Sequence, residues 1–161
     1  MITIEVNARS VLDALERLRR GLTDMTPVMA DVAQALASAS ERQFASQSGP
    51  LGPWPHLQDV TTGMRTERGT WPGQMLQVSA GGLAASVQTS HGSNFARIGT
   101  NKVYAAMHMF GGTTSSVSMI PGKKIPARPY LPFNPETQEI TEESNQTVLE
   151  ILEGYLQRLA D

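Results

Sequence analysis

Three histidines, His56, His91 and His108, are the side chains best suited to acid–base chemistry in this 161-residue chain. A hydrolase would use His56 or His108 within hydrogen-bond reach of a carboxylate such as Asp59. No histidine has another three or four residues away, which is the spacing of a zinc-binding helix. A lone histidine on a short apolar segment, such as His108, is typical of a structural residue. We therefore predict no catalytic residue and no metal site.

Cofactor motifs are also missing from the sequence. Gly122-Lys123 resembles the end of a phosphate-binding loop, but Val117 stands where the first glycine is needed and Lys124 where a hydroxyl residue is needed. The chain has no cysteine, which excludes disulfides, thiolate zinc sites and cysteine nucleophiles. We expect no cofactor and no small-molecule substrate.

Charge is distributed unevenly along the chain. The formal net charge is −2, but residues 49–130 carry seven basic and two acidic side chains, whereas residues 131–161 carry one basic and seven acidic. The basic middle, with Trp54 and Trp71, leaves open a nucleic-acid-binding module as an alternative function. Such a module would lose affinity steeply with salt.

No apolar run approaches the length of a membrane span, which is about 18 residues or more. The N-terminal segment MITIEVNARS lacks the basic and apolar regions of a secretory signal peptide. We expect a soluble cytoplasmic protein with no membrane partner, folded as a single domain over residues 1–161.

Hydrophobic periodicity predicts helices near both ends of the chain. Residues 2–6 alternate as in a short strand, and a first helix follows that Gly21 should end. A second helix is predicted over 26–47, with Pro27 in its first turn. A long amphipathic helix is predicted over 135–159, with Asn134 as its cap.

Glycine and proline concentrate in the middle of the chain, which reads as strands and loops. Strands are predicted within 74–89, 95–99 and part of 113–127, with a two-turn helix at 103–110. The fold class is therefore predicted to be α+β, with a small, mainly antiparallel sheet packed against two long helices. Extended loop arms are expected between these elements.

Two stiff, proline-rich segments are candidates for a structural or a binding role. In residues 49–57, Trp54 either plugs the core or docks on a partner. In residues 123–133, Arg128 either bonds a nearby group within its own subunit or makes forked bonds to carboxylates of a neighbour.

Several pieces of the sequence occur in an order that resembles one family. The pieces are Gly52-Pro53-Trp54-Pro55-His56-Leu57, then Ile98-Gly99-Thr100, then Tyr104-Ala105-Ala106-Met107-His108-Met109-Phe110-Gly111-Gly112, and then Ile125-Pro126-Ala127-Arg128-Pro129-Tyr130-Leu131. Together they resemble the phage virion morphogenesis family, the tail-completion proteins of Mu-like phages and prophages. Met109 stands where that family usually has glutamine.

The resemblance implies a non-enzymatic structural protein that completes the phage tail at the head–tail junction during virion assembly. It implies a place in the virion tail or neck after assembly in the host cytoplasm. The expected partners are copies of itself in a ring, other tail and neck proteins, and DNA in transient passage. The motif residues expected to be structural are Gly99, Tyr104, His108, Phe110, Gly111, Gly112 and Pro129.

A symmetric ring requires each subunit to present two complementary faces. The basic segment 123–128 and the acidic face of the last helix are candidates for these two faces. The interface hypothesis comprises Trp54, Lys123, Lys124, Arg128, Tyr130, Glu142 and Glu150.

Overall fold

The structure, a computed structural model, describes residues 9–117 and 121–161. The strand predicted at 2–6 lies outside the described residues. The helices are α1 (Arg9–Thr23), α2 (Thr26–Ser46), α3 (Asp59–Glu67), α4 (Ala105–Phe110) and α5 (Glu142–Ala160), with a 3-10 turn at Ala84–Ser86. The strands are β1 (Ser48–Gly49), β2 (Gly52–Pro53), β3 (Val87–His91), β4 (Ala96–Thr100), β5 (Gly112–Thr113), β6 (Lys124–Ile125), β7 (Phe133–Asn134) and β8 (Glu139–Ile140).

The predicted α+β class is confirmed, and its strands pair antiparallel. In the described part of the chain they form four separate two-stranded ladders, β1–β2, β3–β4, β5–β6 and β7–β8. The longest ladder, β3–β4, packs on α2, and α5 packs against both α1 and α2. The scaffold is therefore a helical layer with hairpins attached to it.

The helix predicted at 26–47 is confirmed as α2, with Pro27 in its first turn. The helix predicted at 135–159 instead begins at Glu142, seven residues later. Asn134 Oδ1 accepts hydrogen bonds from the backbone N–H groups of Glu136 and Thr137, at 2.9 and 3.4 Å. That cap closes a tight turn, after which β8 pairs back onto β7, and Thr141 caps α5 instead.

Gly21 does not end α1, which continues to Thr23. A Cβ atom at position 21 would lie 2.2 Å from Leu159 Cδ1, so the glycine allows α1 and α5 to approach closely. Tyr155 Oη donates to the Gly21 carbonyl oxygen at 3.1 Å across the same contact. The residue predicted as a helix stop is therefore a packing residue.

The strand predicted within 74–89 is confirmed only for its last part, because the described chain is irregular from Gln74 to Leu83. Met75 and Leu83 in that irregular stretch are buried in the core. The predicted strand at 95–99 and short helix at 103–110 correspond to β4 and α4. The segment 113–127 contributes the short β5–β6 ladder.

The hydrophobic core is built around three aromatic rings. The Phe44 ring contacts the Trp54 ring edge-on with centroids 5.7 Å apart, and the Tyr130 ring lies 5.6 Å away on a tilted plane. Met75, Leu83, Ala105 and Met109 complete the cluster. Residues from α2, α4 and both proline-rich segments therefore share one core.

Candidate functional site

Trp54 lies inside the subunit, with 3% of its surface exposed. Its indole Nε1 donates a hydrogen bond to the Pro129 carbonyl oxygen at 2.9 Å. Gly49 permits this contact, because a Cβ atom there would lie 2.2 Å from the same oxygen. Of the two interpretations of Trp54, the structure supports the core plug, and we remove this side chain from the interface hypothesis.

Arg128 is also internal, with 4% of its surface exposed. Its guanidinium donates to the carbonyl oxygens of Pro55 (Nε, 2.9 Å) and His56 (Nη2, 3.0 Å). Burial lowers the pKa of Arg128 from its ordinary value. The forked donor therefore binds backbone of its own subunit, which corrects its assignment to a neighbour's carboxylates and agrees with the intramolecular alternative.

Tyr130 lies two residues after Arg128 in the second proline-rich segment and is also buried. Its ring is in the core, and burial raises the pKa of its phenol to about 12. Its carbonyl oxygen accepts a hydrogen bond of 2.6 Å from Ser40 Oγ in α2. Tyr130 is therefore also removed from the interface hypothesis.

Segment 104–112, which carries one of the sequence motifs, contacts the second proline-rich segment at Ala127 and Arg128. The His108 carbonyl oxygen accepts a 2.7 Å hydrogen bond from the Arg128 backbone N–H. Gly111 has φ +71°, and a Cβ atom there would lie 2.8 Å from Ala127 N. Glycine is therefore required by both conformation and space. Segments 49–57, 104–112 and 125–131 together form one structural unit, which we call the clasp.

The remaining motif residues occupy different environments. Gly99 lies in β4 opposite Gln88, Gly112 begins β5 with φ +149°, and Pro129 is fully buried. Tyr104 and Phe110 are exposed, whereas Met109 in the same segment is buried in the core cluster. The apolar Met109 is therefore suited to its place in the core.

His108 is the most unusual titratable group in the clasp. Its ring contacts Tyr104 edge-on at 5.8 Å, and its Nδ1 atom is buried without a hydrogen-bond partner among the described residues. Burial, and then the positive charge of Arg128, lower the pKa of His108. Both effects favour the neutral form of the imidazole.

The arrangement required for a hydrolase is not assembled in the part of the chain that the structure describes. There, no hydrogen bond joins a histidine to a carboxylate, and His56 and Asp59 are exposed. Residues 9–117 and 121–161 also contain no group of three histidine, aspartate or glutamate side chains placed to hold a metal ion.

Arg65 is a buried residue that sequence reasoning did not single out. Its Nη2 donates to the carbonyl oxygens of Thr70 and Gln74, and its guanidinium lies 5.3 Å from the centroid of the Trp71 ring. It lines a cavity of about 240 Å³ together with His108 and Tyr104. No periodicity marks it, because its partners are carbonyls of an irregular loop.

The internal placement of Arg65 and Arg128 reduces the charge that the basic middle presents to solvent. Lys123 and Lys124 remain exposed at the hairpin formed by β5 and β6. We call the described residues of this hairpin, 112–117 and 121–125, the basic arm. The interface hypothesis therefore keeps its lysines and loses its arginine.

The acidic residues of the hypothesis lie on α5. Glu142 is exposed at the first turn of the helix and Glu150 two turns later, where it accepts a 3.3 Å hydrogen bond from Gln146. Glu142, but not Glu150, lines a surface groove of about 920 Å³ where the end of α2 and the start of α5 meet the β7–β8 turn. We call this groove, bordered by Glu139, Glu142 and Glu143, the acidic groove.

No helix of the described residues combines the length and the apolar character needed to cross a bilayer. No solved structure matches the chain.

Comparison with known proteins identifies a phage family and relatives from a Mu-like prophage and from phage Mu. The model of the phage virion morphogenesis family matches residues 6–157. The chain is 32% identical over 162 residues to Mu-like prophage FluMu G protein 2 of Haemophilus influenzae, covering 99% of both chains. It is 34% identical over 132 residues to the putative capsid assembly protein G of Escherichia phage Mu, covering 81% of this chain and 82% of that one. The chain, whose clasp unites three of the four motif segments of that resemblance, belongs to the phage virion morphogenesis family.

Proposed function

We propose that this protein is a structural subunit that completes the phage tail at the head–tail junction, and that it works without catalysis. Membership of the virion morphogenesis family supports a role in particle assembly. The finer assignment to the tail is our interpretation of the resemblance together with the geometry.

The observation that carries this proposal is the clasp. Three motif residues hold the segments of one subunit together. Trp54 and Arg128 do so through side-chain hydrogen bonds, and His108 does so through its backbone carbonyl oxygen. The outward features are a charged hairpin and a groove of opposite charge. Such an arrangement suits a part that is assembled with other proteins through its surface.

We further propose that copies of the chain form a ring. The basic arm and the acidic groove are different surfaces, so a contact between them is head-to-tail, and head-to-tail contacts close into rings when the rotation between subunits allows. The other partners would be tail and neck proteins on the two sides of the ring, with DNA passing through its centre.

The relatives allow a sharp test, because the phage Mu protein is named for capsid assembly. The gene would be deleted from the phage or prophage that encodes this chain, and lysates would be examined by negative-stain electron microscopy. A tail-completion role predicts filled heads and separate tails that fail to join. Empty or malformed heads with normal tails would contradict it and favour a capsid role.

A second measurement locates the protein. Antibody labelling of purified particles should mark the junction between head and tail. Label distributed over the head, or lost from finished particles, would exclude a resident tail component.

A further inference from the structure

The acidic groove has an uncompensated charge. Its charged border residues are Glu139, Glu142, Glu143 and Arg42. Arg42 Nη2 lies 3.0 Å from Glu143 Oε1, so that pair is already satisfied. Glu139 and Glu142 remain, both exposed and without an ion-pair partner in the described part of the chain. The groove therefore has room and charge for a cationic group.

A second observation in the groove points the same way. Gln43 lines it, and the Oε1 atom of Gln43 is buried with no hydrogen-bond partner among the described residues. A buried acceptor left unpaired costs free energy, and the Gln43 side chain would have to turn outward for Oε1 to accept a hydrogen bond from a donor in the groove. An ammonium group carries three such donors.

The basic arm carries two ammonium groups, those of Lys123 and Lys124, on a two-stranded hairpin. Thr114 N–H donates to the Lys123 carbonyl oxygen at 3.0 Å and Gly122 N–H to the Thr114 carbonyl oxygen at 3.1 Å, which fixes the hairpin beyond its two paired residues. Lys123 and Lys124 are exposed, and no lysine takes part in an ion pair between described residues.

We propose that the basic arm of one subunit lies in the acidic groove of a second copy, with Lys123 and Lys124 facing Glu139 and Glu142. This inference rests on the proposed ring and names the contact that would form it. Charge complementarity supports this occupant, because the groove is acidic and the arm is an exposed basic hairpin of the same chain.

The geometry of one subunit favours a contact between copies. The strip from Lys124 to Pro129 is anchored at Pro129 by Trp54, beside Gly49 in the groove wall. Five residues span at most about 16–18 Å, and no ion pair between described residues joins Lys123 or Lys124 to Glu139 or Glu142 of the same subunit. These lysines and glutamates are therefore left without each other as ion-pair partners in the described part of one subunit, and a neighbour's groove is a complementary surface for the arm.

The absence of cysteine makes cross-linking a clean test. Two single-cysteine variants, Lys124→Cys and Glu142→Cys, would be mixed and treated with a short bis-maleimide. Because each chain carries one thiol, a product joining 124 to 142 can only link two subunits. The matched control pairs Lys124→Cys with Glu153→Cys, an exposed position further along α5.

We expect the 124–142 product to exceed the 124–153 control by about tenfold, since a docked contact raises the effective concentration of the two thiols. Equal yields for the two pairs would overturn the proposed contact. That result would leave the ring itself standing if native mass spectrometry still showed a closed oligomer.

Charge reversal gives an independent check. Lys123→Glu/Lys124→Glu and Glu139→Lys/Glu142→Lys should each weaken self-association, and mixing the two variants should restore alternating oligomers. Restoration fails if the lysines and glutamates do not face each other. The proposed function is refuted separately, if microscopy shows heads and tails joined normally after the gene has been deleted.

Discussion

Trp54 Nε1 and the Pro129 carbonyl oxygen lie 2.9 Å apart although 75 residues separate them in the chain. This hydrogen bond connects the two proline-rich segments, and Arg128 repeats the connection in the other direction through Pro55 and His56. The clasp is therefore reciprocal, since each segment donates a side chain to the backbone of the other.

Replacing Trp54 tests the core and the hydrogen bond separately. Trp54→Phe keeps most of the ring but leaves the buried Pro129 carbonyl without its donor, which should cost about 1–3 kcal/mol of unfolding free energy. Trp54→Ala also opens a cavity beside Phe44 and should cost about 3–5 kcal/mol. Urea denaturation of the isolated protein measures both, and equal small losses would contradict a core role.

Arg128→Lys removes the planar fork that reaches two carbonyl oxygens. We expect a loss of about 1–3 kcal/mol in the isolated protein, because one or both carbonyls lose a charged donor. Lys123→Gln is the control and should change stability by less than about 0.5 kcal/mol, since that side chain is exposed. Unchanged melting of Arg128→Lys would return this arginine to the interface hypothesis.

Gly49→Ala should destabilise the protein strongly, because its Cβ atom would lie 2.2 Å from the Pro129 carbonyl oxygen and push the two segments apart. The matched control is Gly63→Ala in α3, where no atom lies within 4 Å of the new Cβ. That change should stabilise the helix by about 0.5–1 kcal/mol. Opposite shifts in melting temperature are expected, and similar shifts would refute the close approach.

His108 should make stability depend on pH. Burial and Arg128 lower its folded-state pKa below the ordinary value of 6.5, so the unfolded chain binds the proton more readily. Stability should therefore fall as pH drops through 6.5 towards the folded-state pKa. His108→Gln should flatten this part of the urea-midpoint curve. A wild-type curve that coincides with that of His108→Gln would contradict neutral burial.

The parts of the fold predictable from sequence are those controlled by local patterns. α2 follows from Pro27 and an apolar stripe, and α4 from a short apolar run before Gly111. The predicted start of α5 at residue 135 was wrong, because Asn134 is suited to cap either a helix or a turn. The selection of the turn depended on β8 pairing with β7.

The candidate site was harder to predict, because its residues act across long sequence separations. Trp54 and Arg128 were recognised as unusual, but nothing local distinguishes an internal carbonyl partner from a neighbouring protein. Arg65 was missed for the same reason, since its carbonyl partners lie in a loop without periodicity. Lys123, Lys124, Glu142 and Glu150 are exposed, as their charges predict. Their role at an interface remains a proposal.

The order of the clasp along the chain also sets the order of events during synthesis. Phe44 and Trp54 leave the ribosome well before Pro129 and Tyr130, so the aromatic core cannot close until most of the chain has been made. Contacts of such long range are formed late, because closing a long loop costs entropy before any packing is gained. The β7–β8 and α5 walls of the acidic groove are translated later still. The aromatic core and the acidic groove therefore both depend on residues from Pro129 onward, and a chain cut short before that point would lack both.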